Sequence, residues 1–493
     1  MTGDPVSDER RTTIDGVSVP CDHLIGGKRV GGGETYAVLS PVDGSHLGDI
    51  PVGDAAVVDA AVAAARRAFP AWAALGPGGR GEILGRFAQA ILDRARDLVM
   101  VDTADNGSVR SAMMHAGTGR SAQNIKYFAD LARTLEHPPI GGPVADNSVR
   151  YDPSGVAALI VPWNAPLMLG TWKMGPALAA GCTVVVKPPE WAPFSLSLLG
   201  EIATEAGLPD GVVNIVHGVG ERTGAALVAH AGIARISFTG SPETARAISA
   251  AAAANLTPLS FELGGKSPFI VFEDADLDGA VRTAAAQFMN AGQVCLAGTR
   301  LLVQDTISDR FADAVRRAAA KLVVGDPRVA GTNLGPLIHP DHFERVAGFV
   351  ERALAAGAKP LVGGKPSRLG GNWFEPTILA DVEQSSEIVQ QEVFGPVLTL
   401  QTFRTEDEAV QLANGTDYGL AATLFTGDAA RAERVASKLV AGTVWTNCFY
   451  VRDLAAPFGG SRKSGVGREG GAWSFDFFCD VKNIAVRRGS FTS

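Results

Sequence analysis

Cysteine is scarce in this chain. Its 493 residues hold five, Cys21, Cys182, Cys295, Cys448 and Cys479, scattered and never in a Cys-x-x-Cys pair, so neither a disulfide framework nor a zinc site is indicated. The eight histidines show no His-x-x-x-His spacing with an acidic partner, which leaves metal-assisted hydrolysis without support. There is no polybasic run and the formal charge is −8; nucleic-acid binding as the main task is therefore disfavoured. No apolar run approaches the length of a bilayer span, and the polar, acidic start Met1-Thr2-Gly3-Asp4-Pro5 lacks the apolar core of a secretion signal. The expected location is the cytoplasm, with no membrane and no nucleic-acid partner. Internal repeats and low-complexity tracts are also missing.

What remains is an ordinary soluble composition, 46% hydrophobic and 19% charged, long enough for two or three domains. The first 25 residues read as an extended or loose arm. Helical spacing of apolar residues predicts helices over 57–72, 80–103 and 119–135, with Asp105-Asn106-Gly107-Ser108 as a turn after the second. From residue 150 short β-branched runs alternate with helical stretches, the mark of a parallel α/β sheet. Strands are expected at 156–161, 183–187, 212–216, 234–238 and 258–261, a dinucleotide-type half. A second α/β stretch, about 264–460, offers strands at 269–272, 299–303, 397–402, 422–425 and 443–445. The tail, 474–486, alternates enough to be a strand, and such a strand needs a sheet edge; the expected edge belongs to another subunit.

Two stretches carry the chemistry. Phe261-Glu262-Leu263-Gly264-Gly265-Lys266 and Asn290-Ala291-Gly292-Gln293-Val294-Cys295 place a carboxylate and a thiol 33 residues apart, each among glycines that admit close approach. A base and a nucleophile together suggest covalent catalysis at a carbonyl. Taken alone, Cys295 is more often an inert core thiol than a nucleophile, and a strand-end cap is the lesser alternative for Glu262.

The order of seven motifs decides between these readings. Val161-Pro162-Trp163-Asn164, Lys187-Pro188-Pro189-Glu190, Phe238-Thr239-Gly240-Ser241, Glu262-Leu263-Gly264-Gly265-Lys266, Gly292-Gln293-Val294-Cys295, Glu392-Val393-Phe394-Gly395-Pro396 and Pro457-Phe458-Gly459-Gly460 resemble the aldehyde dehydrogenase superfamily from about residue 25 to 488. The resemblance implies an α/β fold of two parallel α/β domains, Rossmann-like and catalytic, plus a small β oligomerisation arm. Residues 1–127 and 150–263 would bind NAD, 264–460 would be catalytic, and 128–149 with 461–493 would bridge subunits in a homodimer or homotetramer. It also implies Cys295 as the nucleophile, Asn164 and the Cys295 N–H as the oxyanion hole, and Glu262 as the base that activates water against a thioester. Members that pass the acyl group to coenzyme A usually lack this glutamate, so hydrolysis is expected.

By the same likeness Lys173 and Glu469 form a proton relay behind Glu262; an ordinary ion pair is the equal alternative. Trp163, Lys187, Glu190, Gly240, Ser241, Glu392 and Phe394 would hold the cofactor, and the Glu190 carboxylate would repel a 2′-phosphate, favouring NAD over NADP. Ala245 stands where the family usually has glycine. Short C-terminal motifs, including Val451-Arg452-Asp453-Leu454, resemble the hydroxymuconic-semialdehyde and carboxymethyl-hydroxymuconic-semialdehyde branch. In that branch two arginines grip a substrate carboxylate, and Arg120 and Arg452 match them. The alternatives are a broad-specificity aldehyde dehydrogenase and an inactive scaffold of the same fold.

Overall fold

The computed structural model describes residues 9–489 apart from His137, and no side chains for 115 and 116. Two large sheets organise it. In the first, the strands run in the order Gly465–Val466, Leu259–Leu263, Arg235–Gly240, Val156–Ile160, Thr183–Lys187, Val213–Ile215, His23–Ile25 and Lys28–Val30. The five central strands are parallel, and those at both ends are antiparallel. In the second, the order is Lys359–Val362, Thr377–Ala380, Val397–Phe403, Arg300–Gln304, Pro268–Val271, Ala421–Phe425 and Thr443–Thr446. Only the first of these strands is antiparallel.

Burial explains the strand sequences. Val156–Ile160 and Thr183–Lys187 are buried at every position, as expected where helices cover both faces of a parallel sheet, so their patterns are continuous and do not alternate. Chain order reverses at Val156–Ile160, which lies between Thr183–Lys187 and Arg235–Gly240. In an open parallel sheet a ligand crevice forms at such a reversal, beyond the carboxyl ends of the strands. Asn164, Lys187, Gly240 and Glu262 all lie at or just past those ends.

Several expectations change. The opening arm is partly a hairpin, Arg11–Ile14 with Val17–Pro20, turned by Asp15 and Gly16 at positive φ; Ile14, Val17 and Val19 are buried in the main core. The helix expected over 80–103 is two, Gly76–Asp93 and Ala95–Asn106, broken at Arg94. Its periodicity looked continuous because Leu84, Phe87 and Ile91 before the break and Leu98 and Val101 after it enter one core. The tail begins as a helix, Trp473–Phe478, which buries Phe475 and Phe478. The strand that follows, Cys479–Arg487, pairs antiparallel with Ala145–Pro153 of the same chain over nine residues, so its first partner is intramolecular. It remains the edge of a three-stranded sheet. Among the described residues no helix is long and apolar enough to cross a membrane.

A buried cation ties the second sheet to its covering helix. Arg300 is 1% exposed and donates from Nε to the Lys266 carbonyl at 2.8 Å, from Nη1 to Leu412 at 2.7 Å and from Nη2 to Ala413 at 2.6 Å. The last two carbonyls belong to the final turn of helix Glu406–Asn414, where Leu412 also accepts from the Gly415 N–H at 3.2 Å. Arg300→Met should cost roughly 2 kcal/mol or more, because it leaves the buried Lys266 and Ala413 carbonyls without this donor. Urea unfolding measures this; a loss below about 1 kcal/mol would show that the carbonyls find other donors.

Candidate active site

Glu262 lies on the strand Leu259–Leu263, and only 5% of it is exposed. Neither carboxylate oxygen has a hydrogen-bond partner among the described residues. Burial pushes its pKa well above the usual carboxyl range and the neighbouring charge of Glu469 adds to this, while Lys173, Arg452 and Arg468 pull the other way. The turn at Gly459 passes close above it: a Cβ there would lie 2.9 Å from Glu262 Oε1.

Cys295 is presented by an unusual backbone. Asn290, Ala291 and Gly292 all have positive φ, at 51°, 52° and 72°, and a Cβ at Gly292 would fall 2.1 Å from the Gly395 carbonyl. Strain of this kind persists only where neighbours hold it. Here the Asn290 amide donates to the Asn164 carbonyl at 2.9 Å, the Gln293 amide donates to the Asn290 carbonyl at 3.0 Å, and Gln293 Oε1 accepts from the Ile338 N–H at 3.0 Å. Asn164 Nδ2 donates to the Gln293 carbonyl at 2.9 Å. One of its two N–H groups is thereby used to fix the amide, which leaves the other as a donor.

The two stretches are in direct contact. A Cβ at Gly265 would sit 2.7 Å from the Cys295 carbonyl, and one at Gly264 would sit 2.0 Å from Glu392 Oε2. Glycine is required at both. The Glu392 carboxylate accepts from the Gly265 N–H at 2.9 Å, and burial raises its pKa to about 7. The Cys295 thiol is pushed up to about 12, by burial first and then by the charges of Glu392 and Glu262, with Arg452 opposing.

Behind Glu262 lies a polar cluster. Lys173 Nζ is 3.2 Å from Glu469 Oε1 and donates to Ser237 Oγ at 2.8 Å. Ser237 Oγ donates to the same Glu469 oxygen at 3.2 Å, and Trp172 Nε1 donates to the other one.

The residues expected to hold a dinucleotide fall into three groups. Trp163 and Phe394 meet edge to face, 5.2 Å between ring centroids. Lys187, at the end of its strand, donates to the Pro188 carbonyl at 3.0 Å; burial lowers its pKa to about 8, with Glu190 opposing. Glu190 accepts from the Gly220 N–H at 3.0 Å and lines, with Trp191, Val219, Tyr36 and His339, a cavity of 660 Å³. Gly240 and Ser241 stand apart from these. Ser241 caps helix Pro242–Ala252, accepting from Thr244 N–H at 3.2 Å, and Ala245 is buried against the sheet. Gly264 leaves room for the Glu392 carboxylate, which a Cβ there would meet at 2.0 Å.

Arg120 and Arg452 are together. Arg120 Nη1 donates to the Arg452 carbonyl at 3.0 Å, and the Arg452 guanidinium lies over the Trp172 and Phe458 rings, 5.0 and 3.8 Å from their centroids.

His342 and Arg345, on helix Pro340–Ala355, were not anticipated from the sequence. The His342 Nε2–H donates to the Phe394 carbonyl at 2.7 Å, and its ring is 5.1 Å from Trp163. Burial lowers its pKa to about 4, so it is neutral near pH 7. Arg345 donates to the carbonyls of Val393 at 2.6 Å and Glu392 at 2.8 Å. No local pattern in the sequence signals either, since their partners lie about 50 residues away. Among the described residues no group of three or more His, Cys, Asp or Glu is placed to hold a metal ion.

A thiol held near 12 is almost wholly protonated at neutral pH. Alkylation of Cys295 by iodoacetamide in the cofactor-free protein should be slow at pH 7.5 and still rising above pH 10. Glu262→Gln, by removing a negative neighbour, should speed it. Mass spectrometry of the Cys295 peptide follows the reaction, and a plateau near pH 8 would contradict this account of the thiol.

The model of the Aldehyde dehydrogenase family matches residues 29–484. A 2-hydroxymuconic semialdehyde dehydrogenase of Pseudomonas sp. (strain CF600) is 42% identical over 480 residues, covering 94% of this chain and 99% of that protein. Aminoaldehyde dehydrogenase 2 of Zea mays is 42% identical over 466 residues, 92% of each. Among solved structures, an indole-3-acetaldehyde dehydrogenase in complex with NAD+ superposes with a TM-score of 0.94 at 37% identity, over 96% of this chain and 97% of that one. A family match across nearly the whole chain, on a fold that brings the thiol, the carboxylate and the amide together, establishes that the chain belongs to the aldehyde dehydrogenase family.

Proposed function

We propose that the chain oxidises a carboxylated semialdehyde, of the muconic type met in aromatic catabolism, to the dicarboxylic acid, with NAD as hydride acceptor. The observation that carries the substrate class is the Arg120–Arg452 pair. Two guanidinium groups side by side repel, and Arg120 has its pKa lowered by burial and then by Arg452. Arg452 is held by ring faces, and none of its N–H groups has a hydrogen-bond partner among the described residues. An anion would satisfy both cations. A cationic aminoaldehyde would meet repulsion at the same place.

The thiol proton passes to Glu262 and on to solvent as Cys295 attacks the aldehyde carbon; the C–S bond forms while the carbonyl π bond opens, and the resulting oxyanion is held by the free N–H of Asn164 and the Cys295 backbone N–H. Trp163, Lys187, Glu190, Gly240, Ser241, Glu392 and Phe394 would hold NAD, which would supply the hydride acceptor for that carbon. Glu262 then removes a proton from water as its oxygen bonds to the acyl carbon of the thioester. The C–S bond breaks, releasing the acid and the thiol. A carboxyl with a raised pKa suits this role near neutral pH. Residues 1–127 and 150–263 serve as the NAD-binding domain and 264–460 as the catalytic domain. Segments 128–149 and 461–493 join subunits in a homodimer or homotetramer, through the free edge of Cys479–Arg487, where Val481 and Val486 are exposed.

Cys295→Ala should abolish NADH formation, and Glu262→Gln should give one burst of NADH followed by slow turnover. Arg120→Ala and Arg452→Ala should each lose at least about tenfold in kcat/KM on a carboxylated semialdehyde, since breaking a desolvated charged pair costs roughly 2–5 kcal/mol. Neutral aldehydes should be nearly unaffected; equal losses on both would transfer the reading to a broad-specificity enzyme. Sedimentation at micromolar concentration should give a dimer or larger, and a monomer would contradict the edge assignment.

A further inference from the structure

Asn290 is the polar side chain of the left-handed turn Asn290-Ala291-Gly292 that precedes Cys295, and the chemistry above gives it no part. It opens the turn at φ 51° and ψ 37°, and Ala291 follows at 52° and 34°. Asparagine is among the few residues with a side chain that enter this region readily, whereas alanine is not. The side chain is matched at both ends of its amide. Its Nδ2 donates to the Asn164 carbonyl at 2.9 Å and, at the limit of a hydrogen bond, to the Gln293 carbonyl at 3.5 Å. Its Oδ1 accepts from the Ser108 hydroxyl at 3.4 Å. The partners come from three places: Asn164 from just past the strand Val156–Ile160, Ser108 from the turn after helix Ala95–Asn106, and Gln293 from the loop of the thiol itself. The bonds between Asn164 and this loop run in both directions. Asn164 gives a side-chain N–H to the Gln293 carbonyl at 2.9 Å and receives the Asn290 amide at its own backbone carbonyl.

We infer that Asn290 is a positioning residue: its side-chain amide fixes the backbone of Asn164 against the loop of the thiol, so that the free Asn164 N–H and the Cys295 N–H converge on one oxygen. The inference rests on the aldehyde-oxidising reading. The bond from Asn164 to Gln293 alone would leave the Asn164 amide free to pivot about that contact. The bond from Asn290 holds the Asn164 main chain as well, and the direction of the remaining N–H is then set. Donors to an oxyanion are effective only when they are in place before the charge develops, and a misplacement of about 1 Å can cost roughly 100-fold in rate. Alkylation of the same sulfur by iodoacetamide makes no such demand. There the thiol proton goes to solvent, the C–S bond forms as the C–I bond breaks, and iodide carries away the negative charge, so no oxyanion forms. The two reactions of Cys295 therefore separate two tasks of the turn, presenting the sulfur and placing the oxyanion donor.

Asn290→Gly keeps the backbone, since glycine enters positive φ freely, and deletes the amide. Asn290→Asp keeps the shape but turns an acceptor toward the Asn164 carbonyl. At one pH and with saturating NAD, stopped flow gives the rate of the NADH burst from a carboxylated semialdehyde, and mass spectrometry of the Cys295 peptide gives the rate of alkylation by iodoacetamide. A change in the ionisation of the thiol enters both rates and cancels in their ratio. The ratio of burst rate to alkylation rate should fall at least about tenfold in Asn290→Gly and further in Asn290→Asp, with NAD affinity unchanged. A ratio equal to that of wild type, whether both rates hold or both fall together, would show that Asn290 only supports the loop that presents the sulfur, and would overturn the inference. A fall that more NAD abolishes would overturn it as well. If Asn290→Gly does not fold, Asn290→Asp decides by the same ratio. Failure of the wild-type protein to form NADH from any aldehyde would instead sink the underlying reading.

Discussion

The close passage of Gly264 and Gly265 against Cys295 and Glu392 is the constraint on which the site depends. These glycines follow the last parallel strand of the first sheet and precede the first strand of the second. A methyl group on either would meet the Glu392 carboxylate or the Cys295 carbonyl at 2.0 or 2.7 Å, well inside contact distance. The backbone must therefore be bare there for the Glu262 carboxylate, the thiol and the loop carrying Glu392 to share one cleft. The strained turn Asn290–Gly292 then has a purpose: it lifts the chain over Gly395 and brings Cys295 to the same point, and Asn164 and Gln293 lock it by three hydrogen bonds.

Electrostatics follow from that crowding. Glu262, Glu392 and Cys295 all lose hydration together, and each raises the pKa of a neighbour or has its own raised by one. Without counter-charges none would ionise readily. Lys173, Arg452 and Arg468 supply them, each acting to lower the pKa of Glu262. Lys173 reaches the site along the helix Pro166–Ala180, whereas Arg452 and Arg468 arrive on irregular chain near the C-terminus. The cations are thus brought by separate elements to a place where the carboxyl has no hydrogen bond among the described residues.

Much of this was legible in the sequence, and the rest was not for identifiable reasons. The thiol, the carboxylate and Asn164 sit in short motifs whose glycines and prolines are fixed by backbone geometry, so the pattern is local. The parallel strands declared themselves through continuous β-branched runs. The contribution of His342 and Arg345 is non-local: each reaches from the helix Pro340–Ala355 to a backbone carbonyl at 393 or 394, and carbonyls have no signature in sequence. Ser237 likewise reads as an ordinary strand residue until Lys173 and Glu469 are placed around it. The break at Arg94 was invisible because the apolar stripe runs through it. The tail was misread at 474–478 because Phe475 and Phe477 alternate with Ser474 and Asp476 as in a strand, whereas the helix buries Phe475 and Phe478, three apart on one face.

Selectivity can be argued from the same geometry. Arg452 is anchored through the Trp172 and Phe458 rings, an interaction that fixes the guanidinium plane without using its donors. Trp172 at the same time donates its indole N–H to Glu469, and Phe458 exchanges backbone hydrogen bonds with Glu469 at 2.7 Å in both directions. The anchor of the candidate carboxylate grip is therefore built on the residues that hold the polar cluster behind Glu262. A substrate anion drawn to Arg452 would withdraw part of the positive charge that favours the ionised base, and the Lys173–Ser237–Glu469 cluster on the far side is the part of the site whose charge balance such an anion does not touch.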